Sequence, residues 1–195
     1  MKAGMLDMEQ GPASASDRTQ SEETTVYTIG HSTRPIAGLL ALLEAHGIRM
    51  VVDVRTVPRS RRNPQFGIDV LPGNLAAAGI AYAHAPSLGG LRHPRHDSPN
   101  ASWRNASFRG FADYMQMPEF EAALDELIVM ARGQLTAIMC AEALPRRCHR
   151  SLIADALSVR GAIVKHIMSL ERAEPHRVTP FARVEGTRVT YPAFA

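Results

Sequence analysis

Five short apolar runs, separated by stretches of a different periodicity, constrain this chain more than any other feature. They are Val26–Ile29, Met50–Val54, Ile80–His84, Leu135–Cys140 and Ile163–Leu170, the last broken only by Lys165 and His166. Between them apolar residues recur at helical spacing. Ile36, Leu39, Leu40, Leu42 and Leu43 precede Gly47, and Leu71 and Leu75 precede Gly79 in spite of Pro72 and Gly73. Phe120, Leu124, Leu127 and Ile128 follow Pro118, and Leu152, Ile153, Ala156 and Leu157 precede Gly161. Proline suits the first turn of a helix and glycine its end. Strands that are apolar on both faces and alternate with helices form parallel sheets covered on both sides. The expected fold is α/β: a three-layer α/β/α sandwich with a mostly parallel central sheet of about five strands.

The chain has 195 residues, 45% of them hydrophobic, which is enough for one core. Residues 1–24 are rich in Gly, Pro, Ser and Glu and poor in large apolar groups. Such a segment cannot offset its ordering entropy, so a disordered tail is expected over 1–24 and a single α/β domain over 25–195. The start of the chain lacks the apolar core of a signal peptide, and no run approaches the ~20 apolar residues of a membrane helix. The only cysteines are Cys140 and Cys148, too few for a disulfide framework. No disulfide, no membrane and a cytoplasmic location are the expectations.

The formal charge is only +3, but of 22 basic residues only Lys2 and Lys165 are lysines. Arginine suits bidentate contact with phosphate or carboxylate and stays charged. A high-GC genome would raise the total without clustering it. The loop after the second run carries Arg55, Arg59, Arg61 and Arg62, stiffened by Pro58 and Pro64. Four cations so close repel one another unless an anion joins them, so this loop is expected to be an anion funnel rather than a solvated surface.

In open parallel sheets ligands bind beyond the carboxyl ends of the strands. Here the residues in those places are His31, then Asp53 and Arg55, then His84, then Cys140 and Glu142. Asp53, Arg55, Glu142 and Arg150 are expected to meet in one pocket with His31 and His84 nearby. The long irregular stretch from Ala85 to about Asn105, which holds Gly89, Gly90 and Arg92, has the length of a lid. Trp103, Phe108 and Phe111 beyond it either stack on bases or pin the lid to the core.

The segment Cys140–Arg150 admits three chemistries and a purely structural reading. Cys140, Cys148 and His149 could ligate zinc, although no paired C-x-x-C is present. Cys148, beside a histidine near a helix start, could be a nucleophile. Glu142 could be acid, base or nucleophile, with Arg150 holding an anionic substrate. Buried cysteines are also often inert. No metal and no cofactor is assigned. The P-loop, the dinucleotide fingerprint and H-E-x-x-H are all missing from the sequence.

Several pieces together resemble the domain of unknown function 488 family over about Tyr27 to Glu185. They are Thr28–Ser32, Val52–Arg55, Pro58–Phe66, Leu88–Arg92, Phe108–Met115, Cys140–Glu142 and Cys148–Arg150. The segment Pro175–Pro180 resembles the family's ending and is expected to fold back on the domain. The resemblance implies an α/β fold and no settled activity. The expected function is an enzyme acting on a phosphorylated or nucleotide-like substrate, nucleic acid included. Glu142, His31 and Cys148 are the catalytic candidates; Asp53, Arg55, Arg61, Arg62, His84, Arg92 and Arg150 would bind the substrate. A non-catalytic nucleotide- or nucleic-acid-binding module and thiol chemistry at Cys148 stand beside it. The partner is an anionic small molecule, a nucleotide or nucleic acid.

Overall fold

The structure, a computed structural model, describes residues 23–193. The tail expected over 1–24 therefore lies, for residues 1–22, outside the described residues. The elements run β1 (Thr25–Gly30), α1 (Ile36–Ala45), β2 (Met50–Asp53), α2 (Leu71–Ala77), β3 (Ala81–His84), α3 (Ala106–Tyr114), α4 (Pro118–Gly133), β4 (Thr136–Cys140), α5 (Arg150–Ser158), β5 (Ile163–Ile167), β6 (Ala173–Pro175), β7 (Arg183–Glu185) and β8 (Arg188–Thr190). The central sheet has the order β3-β2-β4-β1-β5-β6. Its first five strands are mutually parallel and β6 runs antiparallel to β5. β7 and β8 form a separate hairpin.

Alternation along each strand sends successive side chains to opposite faces. Ile29, Val51 and Met139 meet Leu39 and Leu43 of α1 and Leu71 and Leu75 of α2. Val26, Val52, Ile138 and Val164 meet Phe111, Phe120, Leu124, Leu152 and Leu157 of α3, α4 and α5 on the other side. The result is the expected three-layer α/β/α sandwich. Burial holds these helices more than capping does. α1 has no side-chain cap at its start, but each fully buried leucine contributes about 1.5–3 kcal/mol, against ~1 kcal/mol for a cap.

The sheet has six strands rather than five. β6 escapes a pattern reading because it is short and polar and contains Pro175, which a central strand would exclude. α3 also escapes it: its aromatic residues look like lid anchors, yet Asn105 caps a helix there, accepting from the backbone N–H of Ser107 at 2.9 Å. Among the described residues no helix is long and apolar enough to cross a membrane.

The topology makes a crevice. The loops after β1 and β2 lead to α1 and α2 on one face, whereas the loop after β4, which lies between them, leads to α5 on the other. Adjacent strands whose exits part in this way open a cleft at their carboxyl ends.

Candidate functional site

A pocket of about 680 Å³ occupies that crevice. Cys140, Cys148 and His149 line it, together with His31 after β1, Arg55 and Arg59 after β2, and Glu142 and Arg147 after β4. Gly90 and Leu91 close it from the Ala85–Asn105 stretch, and Phe108 from α3. β1 and β4 are tied beyond the ladder, with His31 N–H donating to the Cys140 carbonyl and Ser32 N–H to the Ala141 carbonyl, each at 2.9 Å. Ser32 takes φ of 52° to make this turn.

Asp53 is fully buried and holds Arg55 through Nε at 2.8 Å and Nη2 at 2.5 Å. It also accepts from the Arg55 backbone N–H and the Tyr82 hydroxyl. Burial and the Asp53 charge keep that phenol protonated by pushing its pKa up. Arg55 Nη2 donates to the Phe66 carbonyl, and Nη1 reaches His31 Nε2 at 3.2 Å. His31 Nδ1 faces the Ser32 carbonyl at 2.8 Å and so carries the ring proton. Burial brings its pKa from 6.5 down to about 4. His31, stacked on Phe66, is therefore neutral with both nitrogens engaged.

Arg150 is fully buried, and among the described residues it has no carboxylate partner. Its Nη1 donates to Thr28 Oγ1 at 3.2 Å and its Nη2 to the Glu142 and Ala143 carbonyls. Its Nε donates to Cys148 Sγ at 3.4 Å. A buried guanidinium needs a compensating charge, and the sulfur is the group in place to supply it. His149 Nδ1 lies 3.7 Å from the same sulfur, and its Nε2 donates to the Val54 carbonyl at 3.2 Å. A hydrogen bond from Cys140, then His149 and Arg150, hold the Cys148 thiol well below its ordinary value of 9.0 against the opposing effect of burial. Cys140 moves the other way, raised by its hydrogen bond to Cys148 and by burial. The two shifts favour the negative charge on Cys148 and the proton on Cys140, and neither cysteine is in a disulfide.

Glu142 is half-buried at the pocket wall, and its Oε1 accepts the Leu144 backbone N–H at 3.0 Å. His31, Arg55, Glu142 and Cys148 thus come together, with Asp53 directly beneath Arg55 and Arg150 beneath the loop. His84 stands behind, its Nε2 on the Arg55 carbonyl at 2.8 Å. Arg92 is tied into its own loop through Gly89 and Ser87 and lies 3.6 Å over the Tyr114 ring, away from the pocket. Arg61 and Arg62 are exposed and outside its lining. Trp103 packs on Phe108, Phe181 and Tyr191, and Phe111 is buried in the core, so both serve as anchors of the lid.

Cys140, Cys148 and His149 present ligand atoms within 4.8 Å of one another. Such a set suits a soft divalent cation. The fixed guanidinium at Cys148, however, adds positive charge where the ion's own charge would sit. The arrangement fits a thiolate better than a metal.

A family model described as Domain of unknown function DUF488 matches residues 35–157. The chain belongs to the DUF488 family. No curated protein matches it, and no solved structure does. In this DUF488 chain the matched span runs from just before α1 into α5 and includes the Cys140–Arg150 loop, a narrower range than Tyr27 to Glu185. Arg59, Arg147, His149 and Cys140 line the pocket; the sequence offered Arg59 as part of the anion funnel and Cys140 and His149 as possible zinc ligands, but none of the four as a catalytic or substrate-binding residue. Arg59 belonged to the legible arginine cluster, and His149 to the Cys148–Arg150 triplet; nothing local singled out Arg147.

Proposed function

We propose that this DUF488 protein is a thiolate-dependent enzyme acting on a small phosphorylated or nucleotide-like anion, with Cys148 as nucleophile. One observation carries the reading: the buried Arg150 guanidinium has Cys148 Sγ, 3.4 Å from its Nε, where a carboxylate would otherwise be required. A thiolate attacks where a thiol does not. Cys140 stabilises the anion through its S–H. Arg59 and Arg147, exposed at the pocket wall, attract the substrate's negative charge. Among the described residues Glu142 keeps one carboxylate oxygen without a hydrogen-bond partner, and in its protonated form it is the group to give a proton to the atom that departs as the sulfur bonds to the substrate. His31 orients rather than titrates, since Arg55 takes its lone pair.

The test is alkylation of Cys148 by iodoacetamide, followed by peptide mapping across pH. A thiolate reacts well into the acid range, whereas an ordinary thiol loses about tenfold in rate per pH unit below its pKa. A profile centred near the ordinary thiol value would overturn the reading. A phosphate-ester and nucleotide panel, assayed on the intact chain and on Cys148→Ser, then identifies the substrate by turnover that the variant lacks.

A further inference from the structure

Thr28 and His166 face each other across the β1–β5 ladder, and both are buried. His166 Nδ1 lies 2.8 Å from Thr28 Oγ1, and His166 Nε2 lies 3.0 Å from His176 Nδ1. His176 Nε2 reaches Asp155 Oδ1 at 2.7 Å. Asp155 is fully buried on α5 and also accepts the Thr179 backbone N–H and the Tyr191 hydroxyl. A continuous hydrogen-bonded row thus runs Asp155, His176, His166, Thr28, Arg150, Cys148.

Asp155 fixes one end of the row. A carboxylate only accepts, so His176 Nε2 carries a proton, and with that ring neutral its Nδ1 accepts from His166 Nε2–H. His166 Nδ1 is then an acceptor and takes the Thr28 hydroxyl proton. Thr28 is left to present a lone pair to Arg150 Nη1, 3.2 Å away. With Nη1 held by Thr28 and Nη2 by the Glu142 and Ala143 carbonyls, the guanidinium plane is fixed and Nε points at the sulfur. Burial brings the His166 pKa from 6.5 down to about 4, in keeping with a neutral ring in this row.

We infer that Asp155, through His176, His166 and Thr28, is a remote positioning device that aims Arg150 at Cys148 and so maintains the reactive sulfur. This rests on Cys148 being the nucleophile. It assigns a role to a segment outside the family match, since His166, His176 and Tyr191 all follow residue 157. None of these four residues is expected to touch substrate. Their contribution is orientation, of the kind that outer partners supply to groups in direct contact with reactants.

The experiment uses the full chain and reads the pH profile of iodoacetamide alkylation at Cys148 together with the melting temperature. Thr28→Val removes the lone pair with little change in volume; Thr28→Ser keeps it; Asp155→Asn replaces an obligatory acceptor with a group that can also donate. Thr28→Val and Asp155→Asn are expected to move the profile toward higher pH, lowering the rate at a fixed acid pH about tenfold for each unit moved. Thr28→Ser should restore it. If Asp155→Asn does not fold, the Thr28 pair decides alone. A profile unmoved in Thr28→Val, even with a lower melting temperature, would overturn the relay and leave the thiolate reading standing. An ordinary thiol profile in the unaltered chain would overturn both.

Discussion

Arg55 Nη1 lies 3.2 Å from His31 Nε2, and with Nδ1 already on the Ser32 carbonyl the imidazole has no lone pair left for solvent. The fold therefore refuses a proton that the unfolded chain accepts. His31 and His166 share this behaviour, each with a pKa near 4 rather than 6.5. The unfolded state binds more protons between those values, so stability is fully present above the window and is lost as pH falls through it. His31→Gln should flatten that dependence. Urea midpoints measured from about pH 7 to about pH 4 check it, and a variant with an undiminished acid loss would contradict it.

Arg150→Met should destabilise strongly, by about 3–5 kcal/mol, because it strips a buried anion of its partner and leaves the Glu142 carbonyl unpaired. Cys148→Ala in the same background should recover part of the loss by removing the anion itself. Denaturant unfolding of the two single variants and the double variant measures the coupling, and strictly additive losses would refute it.

Charge reversal separates the arginines that line the pocket from those on the outer part of the loop after β2. Arg59→Glu and Arg147→Glu should weaken binding of a phosphorylated ligand by about tenfold or more and flatten its salt dependence, because both side chains line the pocket. Arg61→Glu with Arg62→Glu should act mainly on association rate. Titrations at two ionic strengths distinguish the pairs, and equal losses from both would place the anion on the outer loop.

Glu142→Gln keeps the acceptor oxygen that receives the Leu144 N–H. The variant should fold, bind ligand and alkylate at Cys148 normally, yet lose about 10²–10⁴-fold in turnover. A parallel fall in melting temperature and binding would assign Glu142 to holding the loop instead.

Gly30→Ala tests how the two loops meet. A Cβ at Gly30 would run into the Glu142 backbone carbonyl, which no side-chain rotation can relieve. A cost of about 1–3 kcal/mol is expected, with loss of acid-range alkylation because the Cys140–Cys148 loop must move. Calorimetry and alkylation together check it; a neutral result would mean that the loop yields freely.

The layers of this fold were legible because periodicity is local. Val26–Ile29 and Leu135–Cys140 are apolar on both faces, and that alone requires helices above and below. The edge of the sheet carrying the site was legible for the same reason: apart from Lys165 and His166 within β5, titratable residues follow the apolar runs where strands end. The partners were not. Nothing within a few residues of Arg150 indicates that its guanidinium turns inward, toward Thr28 and the loop carbonyls, rather than outward to a ligand. Asp155 and His176 are joined only because β6 folds back beside β5, a strand too short and polar to announce itself. The break at Lys165-His166 was the one visible trace of that network, and it reads equally well as an exposed register position.

β6 has one more effect, at the margin of the sheet. The His176 N–H turns inward to the Val164 carbonyl at 2.8 Å, so alternation directs the nitrogen of Pro175 outward, and that nitrogen has no hydrogen to offer. An edge of three residues with a proline at its outward position gives a foreign strand little to zip onto. The sheet ends there by construction. Strand addition to the central sheet would then begin at β3, on its far margin, where Tyr82 and His84 are drawn inward to Asp53 and to the Arg55 carbonyl. The hydrogen bonds that shape the pocket thus also stiffen the margin most open to misassembly.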